Sequence, residues 1–194
     1  MRLPPDLDRP RSARAHAAAL AATLELLREG GLPAATVDAI AARSGISKAT
    51  IYNHWPSRVA IAAEAFGNAM ADATQPPDTG SIREDLITQV RQVSAFYASP
   101  DGQIFAQLLA AGVNDPEGAR YFRDFFLTGR RESTRILWQR AVDSGHASPD
   151  IDTDTAADLL FGGLIYRLLN GNTPLTEERA VTIARAALDG LLVR

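Results

Sequence analysis

The sequence predicts an all-α protein of two parts: an N-terminal three-helix head holding a helix-turn-helix, followed by a larger helical body. Three observations carry this. Apolar residues recur every three or four positions, as in Ala17, Leu20, Ala21, Leu24 and Leu27 near the start and Val181, Ala184, Ala187, Leu188 and Leu191 near the end. Glycine and proline clusters punctuate that rhythm at helical lengths, at Gly30-Gly31, Gly45, Pro56, residues 75–80, 100–102 and 114–116. No stretch alternates convincingly enough to be a strand.

Taken in order, residues 1–10 carry Pro4, Pro5 and Pro10 and read as an arm. Arg11 and Arg14 open the first long helix, which Gly30-Gly31 stops and Pro33 bars from continuing. In the next helix Val37, Ile40 and Ala41 share a face; Thr36 stands where its hydroxyl can accept from the first turn, and Asp38 sits near the positive end of the dipole. Gly45 suits a positive φ after that helix, Ser47 can cap the following one, and Pro56 ends it. A fourth helix begins near Ser57 and runs to about residue 74, its inner face Val59, Ala62, Ala63 and Phe66. Residues 75–80 then mark the best boundary. The expected organisation is a helix-turn-helix domain at 1–58 with its motif at 36–55, a connecting helix and linker at 59–79, and a second helical domain at 80–194.

In that last domain Ser81 caps a helix carrying Ile82, Leu86, Val90, Val93 and Phe96. A shorter helix covers 103–113. A long one opens at 114–116, with Pro116 in the favoured first turn, and ends near Gly145; Gly129 is the place where it would bend or divide. Two further helices follow at about 153–170 and 176–193.

The helix after Ser47 has an unusual surface. Ile51 and Trp55, four apart, can face inward, while Lys48, Thr50, Tyr52, Asn53 and His54 all bring hydrogen-bonding groups and no acid. Such a helix suits the DNA major groove: Asn and Lys can read base edges, Thr can meet a thymine methyl, and Tyr and His can hold phosphates. The order is that of a helix-turn-helix with the second helix as reader.

Thr36, Ile40, Ala41, Gly45, Ile46, Ser47, Thr50-Ile51-Tyr52, His54-Trp55 and Arg58 together resemble the N-terminal domain of the tetracycline-repressor (TetR) family of bacterial regulators. The family pattern has an aromatic pair, a histidine, a phenylalanine and, three positions on, a basic residue. Here Asn53 replaces the second aromatic, Trp55 replaces the phenylalanine, and Arg58 stands where the family usually has a phosphate-binding lysine. The motif covers the first third of the chain; the remainder matches in helical layout. The resemblance implies a dimeric, ligand-released repressor. It places Thr36, Arg43, Ser47, Lys48, Ala49, Thr50, Tyr52, Asn53, His54 and Arg58 at operator DNA, and packs the first helix across the motif, making Arg11 and Arg14 either phosphate contacts or solvated cations. It also implies a small apolar effector held in the body and a four-helix dimer interface from the last two helices, with Leu159, Gly162, Gly163, Tyr166, Ala184, Leu188 and Leu191 in it.

Charge and composition narrow the alternatives. The net charge is −3, yet residues 1–58 hold eight basic against five acidic side chains, a net +3, and the remainder twelve against eighteen, a net −6. The basic part is the part with the motif, and local potential governs phosphate approach. With no cysteine, disulfides and thiolate metal sites are excluded. No apolar run approaches the ~18 residues of a membrane span, and acids interrupt the Arg- and Ala-rich start, so a cytoplasmic protein is expected.

The remaining clusters have ordinary readings beside functional ones. Phe96, Phe105, Tyr121, Phe122, Phe125, Phe126, Trp138 and Tyr166 are either bundle core or the wall of an effector pocket. The acidic run at 150–154 imitates the start of a calcium loop, but Thr155 and Phe161 stand where its Gly and Glu belong, so it reads as a helix N-cap. There is no nucleophile elbow, phosphate-cradling glycine loop or His pair at metal spacing. No catalytic residue, cofactor or metal is therefore expected. Two other classes stay open beside the repressor: a helical interaction protein that does not read DNA, and an all-α enzyme using the aromatic body.

Overall fold

The computed structural model describes residues 10–70, 76–171 and 174–191, and none of these lies in a strand. In chain order the helices are α1 (Pro10–Ala34), α2 (Val37–Ser44), α3 (Lys48–His54), α4 (Arg58–Ala69), α5 (Ile82–Tyr97), α6 (Pro100–Gly112), α7 (Pro116–Phe122), α8 (Thr128–Asp143), α9 (Thr153–Asn170) and α10 (Glu177–Leu191), with a π-helical turn at Arg123–Leu127 between α7 and α8. Residues 1–9 of the expected arm lie outside the described residues, as do the ends expected for the fourth and last helices, while Pro10 opens α1.

Local chemistry accounts for most boundaries. Ser57, Ser81, Asp115 and Asp152 each accept a hydrogen bond from the backbone three residues on, capping α4, α5, α7 and α9. The acidic run at 150–154 thus serves as a cap, and hydrogen bonds from Thr155 hold the Asp152 carboxyl below its ordinary value. Gly30-Gly31 interrupts α1 as expected, both glycines leaving helical backbone and Gly31 taking a φ of 66°, and one further turn follows to Ala34. The long helix after Pro116 divides at the π turn, not at Gly129; there the Thr128 hydroxyl donates to the carbonyl of Arg123 at 2.9 Å.

The chain forms two compact units that do not follow the expected boundary at residue 80. The first comprises residues 1–72 and 103–128, the second 73–102 and 129–194. Close backbone approach brings 103–128 into the first unit. A Cβ on Gly118 of α7 would lie 2.6 Å from Cγ1 of Val59 in α4. Phe66 of α4 stacks on Phe126 at 5.1 Å, and Phe105 packs on Phe122 and Phe126 at 5.4 Å each. These four rings are buried with Leu27, Ile40, Ile51 and Leu108.

In the second unit Leu86 and Val90 of α5, Leu137 and Ala141 of α8, Leu160 and Leu164 of α9, and Ala184 and Leu188 of α10 are fully buried or nearly so. This corrects part of the expected dimer surface. Ala184, Leu188 and Leu191 lie with Ala180 on the inward stripe of α10, spaced by four, four and three, and are covered within the protomer. Leu159, Gly162, Gly163 and Tyr166 of α9 do reach the surface.

Candidate nucleic-acid interface

The interface is built on a short capped frame. The Thr36 hydroxyl accepts from Ala39 N–H at 3.1 Å and starts α2. Gly45 then turns the chain with φ of 70° and donates its N–H to the Ala41 carbonyl. The left-handed region explains glycine there. Ser47 accepts from Thr50 N–H at 3.2 Å, starting α3, and its hydroxyl also shares a 2.9 Å hydrogen bond with that of Thr50. Trp55 leaves the helix in an extended conformation, its N–H bonded to the Ile51 carbonyl at 2.9 Å.

Ile40, Ile51 and Trp55 are buried, while Lys48, Ala49, Tyr52 and Asn53 are exposed along α3. The helix therefore exposes one cation, one amide, one phenol and one methyl. Thr36 and Ser47 cap helices rather than stand free, and Thr50 is half-buried.

The expected cations are committed within the protein. Arg43 makes a two-pronged pair with Glu29 at 2.8 and 2.9 Å and reaches Glu25 at 3.3 Å. Hydrogen bonding to Glu29 is the main reason the guanidinium sits above its ordinary value, and the same bond holds Glu29 below its own. Lys48 pairs with Asp38, whose hydrogen bond raises the ammonium above its usual value. The Arg58 guanidinium donates to the Leu32 carbonyl at 3.4 Å. Arg14 is exposed on α1, and the side chain of Arg11 lies outside the described set.

His54 is half-buried at the end of α3. Its ring packs against His16 at 5.4 Å and Trp55 at 5.3 Å, and its Nδ1 is buried with no protein partner. Burial first, and the charge of His16 second, push its pKa below the ordinary 6.5.

Sequence reasoning missed Glu64, its partner His16, and Gln107 here. Glu64 of α4, 6% exposed, accepts from Trp55 Nε1 at 2.6 Å and pairs with His16 Nε2 at 3.0 Å. Gln107 of α6 accepts the Leu32 N–H at 2.6 Å just after the α1 kink. The available signal was a lone carboxylate inside the apolar run of α4, with a tryptophan nearby able to donate to it.

The eight aromatics do not gather in one place. Phe105, Phe122 and Phe126 fill the core of the first unit; Tyr121 stacks on the more exposed Phe125 at 5.7 Å, under the Arg120 guanidinium. Phe96, Trp138 and Tyr166 belong to the second unit. There Trp138 is buried and donates to the Ile151 carbonyl at 2.9 Å, and Tyr166 is 69% exposed.

Comparison with known proteins agrees with this layout. Residues 19–65 match the model for bacterial regulatory proteins of the tetR family, and residues 76–187 match the tetracyclin repressor-like C-terminal domain. A Bacillus subtilis (strain 168) protein described as the uncharacterized HTH-type transcriptional regulator YdeS is 35% identical over 94% of this chain and 92% of its own. The Mycobacterium tuberculosis (strain ATCC 25618 / H37Rv) regulator Rv1556, described in the same words, is 35% identical over 82% of this chain and 78% of its own. Among solved structures, the TetR family transcription regulator SCO0332 superposes with a TM-score of 0.73 at 31% identity, covering 91% of this chain and 98% of that one. The fold is also that of the Bacillus subtilis regulator FadR in complex with stearoyl-CoA, with a TM-score of 0.61 at 17% identity over 90% and 98% of the two chains. The chain belongs to the TetR family of bacterial helix-turn-helix transcriptional regulators.

Proposed function

We propose that the protein acts in the cytoplasm as a homodimeric repressor that binds a near-palindromic operator, leaves it when a small, mostly apolar effector binds, and catalyses no reaction. The observation that carries the DNA part is the exposed set Lys48, Ala49, Tyr52 and Asn53 on a helix whose two ends are capped and whose inward residues are buried. Each protomer would set α3 in a major groove, the two grooves roughly 34–36 Å apart. Asn53 and Thr50 would choose sequence; Lys48, Tyr52 and Arg58 would hold the backbone.

The surface of α9 supports the dimer. Leu159, Gly162, Gly163, Tyr166 and Leu169 are exposed and follow one another at steps of three, one, three and three residues along a single stripe. A Cβ on Gly162 would meet nothing within 4 Å in its own chain. A glycine in a helix interior costs roughly 1 kcal/mol against alanine, and a closely approaching partner helix would offset that. No helix among the described residues is long and apolar enough to cross a membrane, so the stripe is not part of a span.

For the effector, FadR shows that this fold can accommodate a molecule with a long apolar tail. Of the aromatics in the first unit, the stacked pair Tyr121 and Phe125 is the one such a ligand reaches without opening the core. The test is titration of acyl thioesters and other apolar compounds with and without operator. Release requires coupling, about 1.4 kcal/mol for each tenfold loss of operator affinity, and operator must weaken effector binding by the same factor. Compounds that bind the protein yet leave operator affinity unchanged would point to a constitutive DNA-binding protein.

A further inference from the structure

The reading helix is seated on very little. It has seven residues, and of these only Ile51 is buried, with Trp55 just beyond its end. Apolar burial is non-directional, so two such anchors leave the helix free to rock about its axis. Hydrogen bonds to a buried carboxylate are directional, and breaking one leaves a charge uncompensated.

Such a carboxylate lies behind the helix. Glu64 sits in a stretch of α4 that is buried from Val59 to Gly67 and otherwise apolar. One of its oxygens takes the Trp55 indole N–H at 2.6 Å, and the other meets His16 Nε2 of α1 at 3.0 Å. The His16 ring also stacks on Trp55 at 4.6 Å, nearly parallel at 26°. One carboxylate thus joins three helices at the residue where α3 ends. For packing alone, a leucine would fill the same volume at lower desolvation cost.

We propose that Glu64 is a positioning residue for operator recognition: by holding Trp55 and His16 it sets the seat of α3 against α1 and α4, and with it the discrimination between operator and other DNA, without touching DNA itself. The inference rests on α3 being the reader. Trp55 is part of the device. With phenylalanine there, the usual family residue, the indole N–H would be missing and Glu64 would lose one of its two partners.

The experiment uses the full chain, one duplex recovered from random-sequence DNA by selection with the wild-type protein, and one mixed-sequence duplex lacking that site. Affinity for both and the melting temperature are measured for Glu64→Gln, for Trp55→Phe, and for the double variant Trp55→Phe/Glu64→Leu. The double variant removes both polar partners and should melt near the wild type. Its preference for the selected duplex should fall about tenfold, the size of one lost base contact, with mixed-sequence affinity within about twofold. Trp55→Phe should show the same loss of preference, measured well below its melting temperature, so the test stands if the double variant does not fold. Glu64→Gln keeps an acceptor for the indole and should retain the preference. Either folded phenylalanine variant with wild-type preference would overturn the inference, as would a parallel loss on both duplexes. If selection with the wild type recovers no preferred duplex, the recognition reading itself fails.

Discussion

The ammonium of Lys48, in the first turn of the reading helix, is paired with the carboxylate of Asp38 on the helix before it. Arg43 is likewise taken by Glu29 and Glu25 of α1. The motif thus presents its hydrogen-bonding face with its strongest cations partly neutralised from within. Phosphate attraction supplies essentially all sequence-independent affinity, so in the operator contact proposed above internal carboxylates would lower that background and leave base contacts to decide where the protein stays.

Replacing Asp38 by Asn should therefore tighten binding to mixed-sequence DNA and steepen the salt dependence by about one unit, as one more cation becomes available to phosphate. Asp38 also lies in the first turn of α2, so the variant should be slightly less stable than the wild type. Filter binding across a salt series reads the slope; a flatter slope would mean that the pair does not restrain Lys48.

Mild acid should destabilise the head through His54. Its folded pKa lies below its ordinary 6.5, chiefly because the ring is buried. Between those two values the unfolded chain binds more protons than the folded one, so stability rises with pH. The contribution is complete above about 6.5 and is lost as pH falls through that window towards the folded value. Thermal melts at pH 7.5 and 5.5 should show a larger drop for the wild type than for His54→Gln. Equal drops would mean that the ring is not held neutral.

Gly162→Leu should give a stable monomer. A Cβ there meets nothing within 4 Å in its own protomer, and the change should raise helix propensity by roughly 1 kcal/mol or a little less, so folding should not suffer. Sedimentation of a folded, intact dimer would place the interface elsewhere.

What was legible in the chain follows from the range of the interactions. Thr36, Gly45, Ser47 and Pro56 act on backbone within three or four residues, so the bounds of α2 and α3 could be read directly. The burial of Ile40, Ile51 and Trp55 followed from periodicity. Arg43 was legible as a cation but not as a paired one, because Glu29 meets it only after α1 and α2 cross. Glu64 joins partners nine and forty-eight positions away, a placement that no local pattern encodes. Ala184 and Tyr166 show another limit: an apolar stripe says that something covers it, and only the fold separates the stripe covered by its own chain from the stripe left open. Phe105, Phe122 and Phe126 were grouped by composition with a body from which the close approach at Gly118 removes them.

The most direct test is the sequence preference of the wild type and of Asn53→Ala, determined by selection from random-sequence DNA at fixed salt. The wild type should recover a near-palindrome whose half-sites lie about one helical turn apart, roughly 34–36 Å. Asn53→Ala should recover the same motif with preference relaxed at one base pair in each half, at a cost of about 1–3 kcal/mol for that position. An unchanged motif would remove Asn53 from the reading face; failure of the wild type to enrich any sequence would contradict recognition through α3.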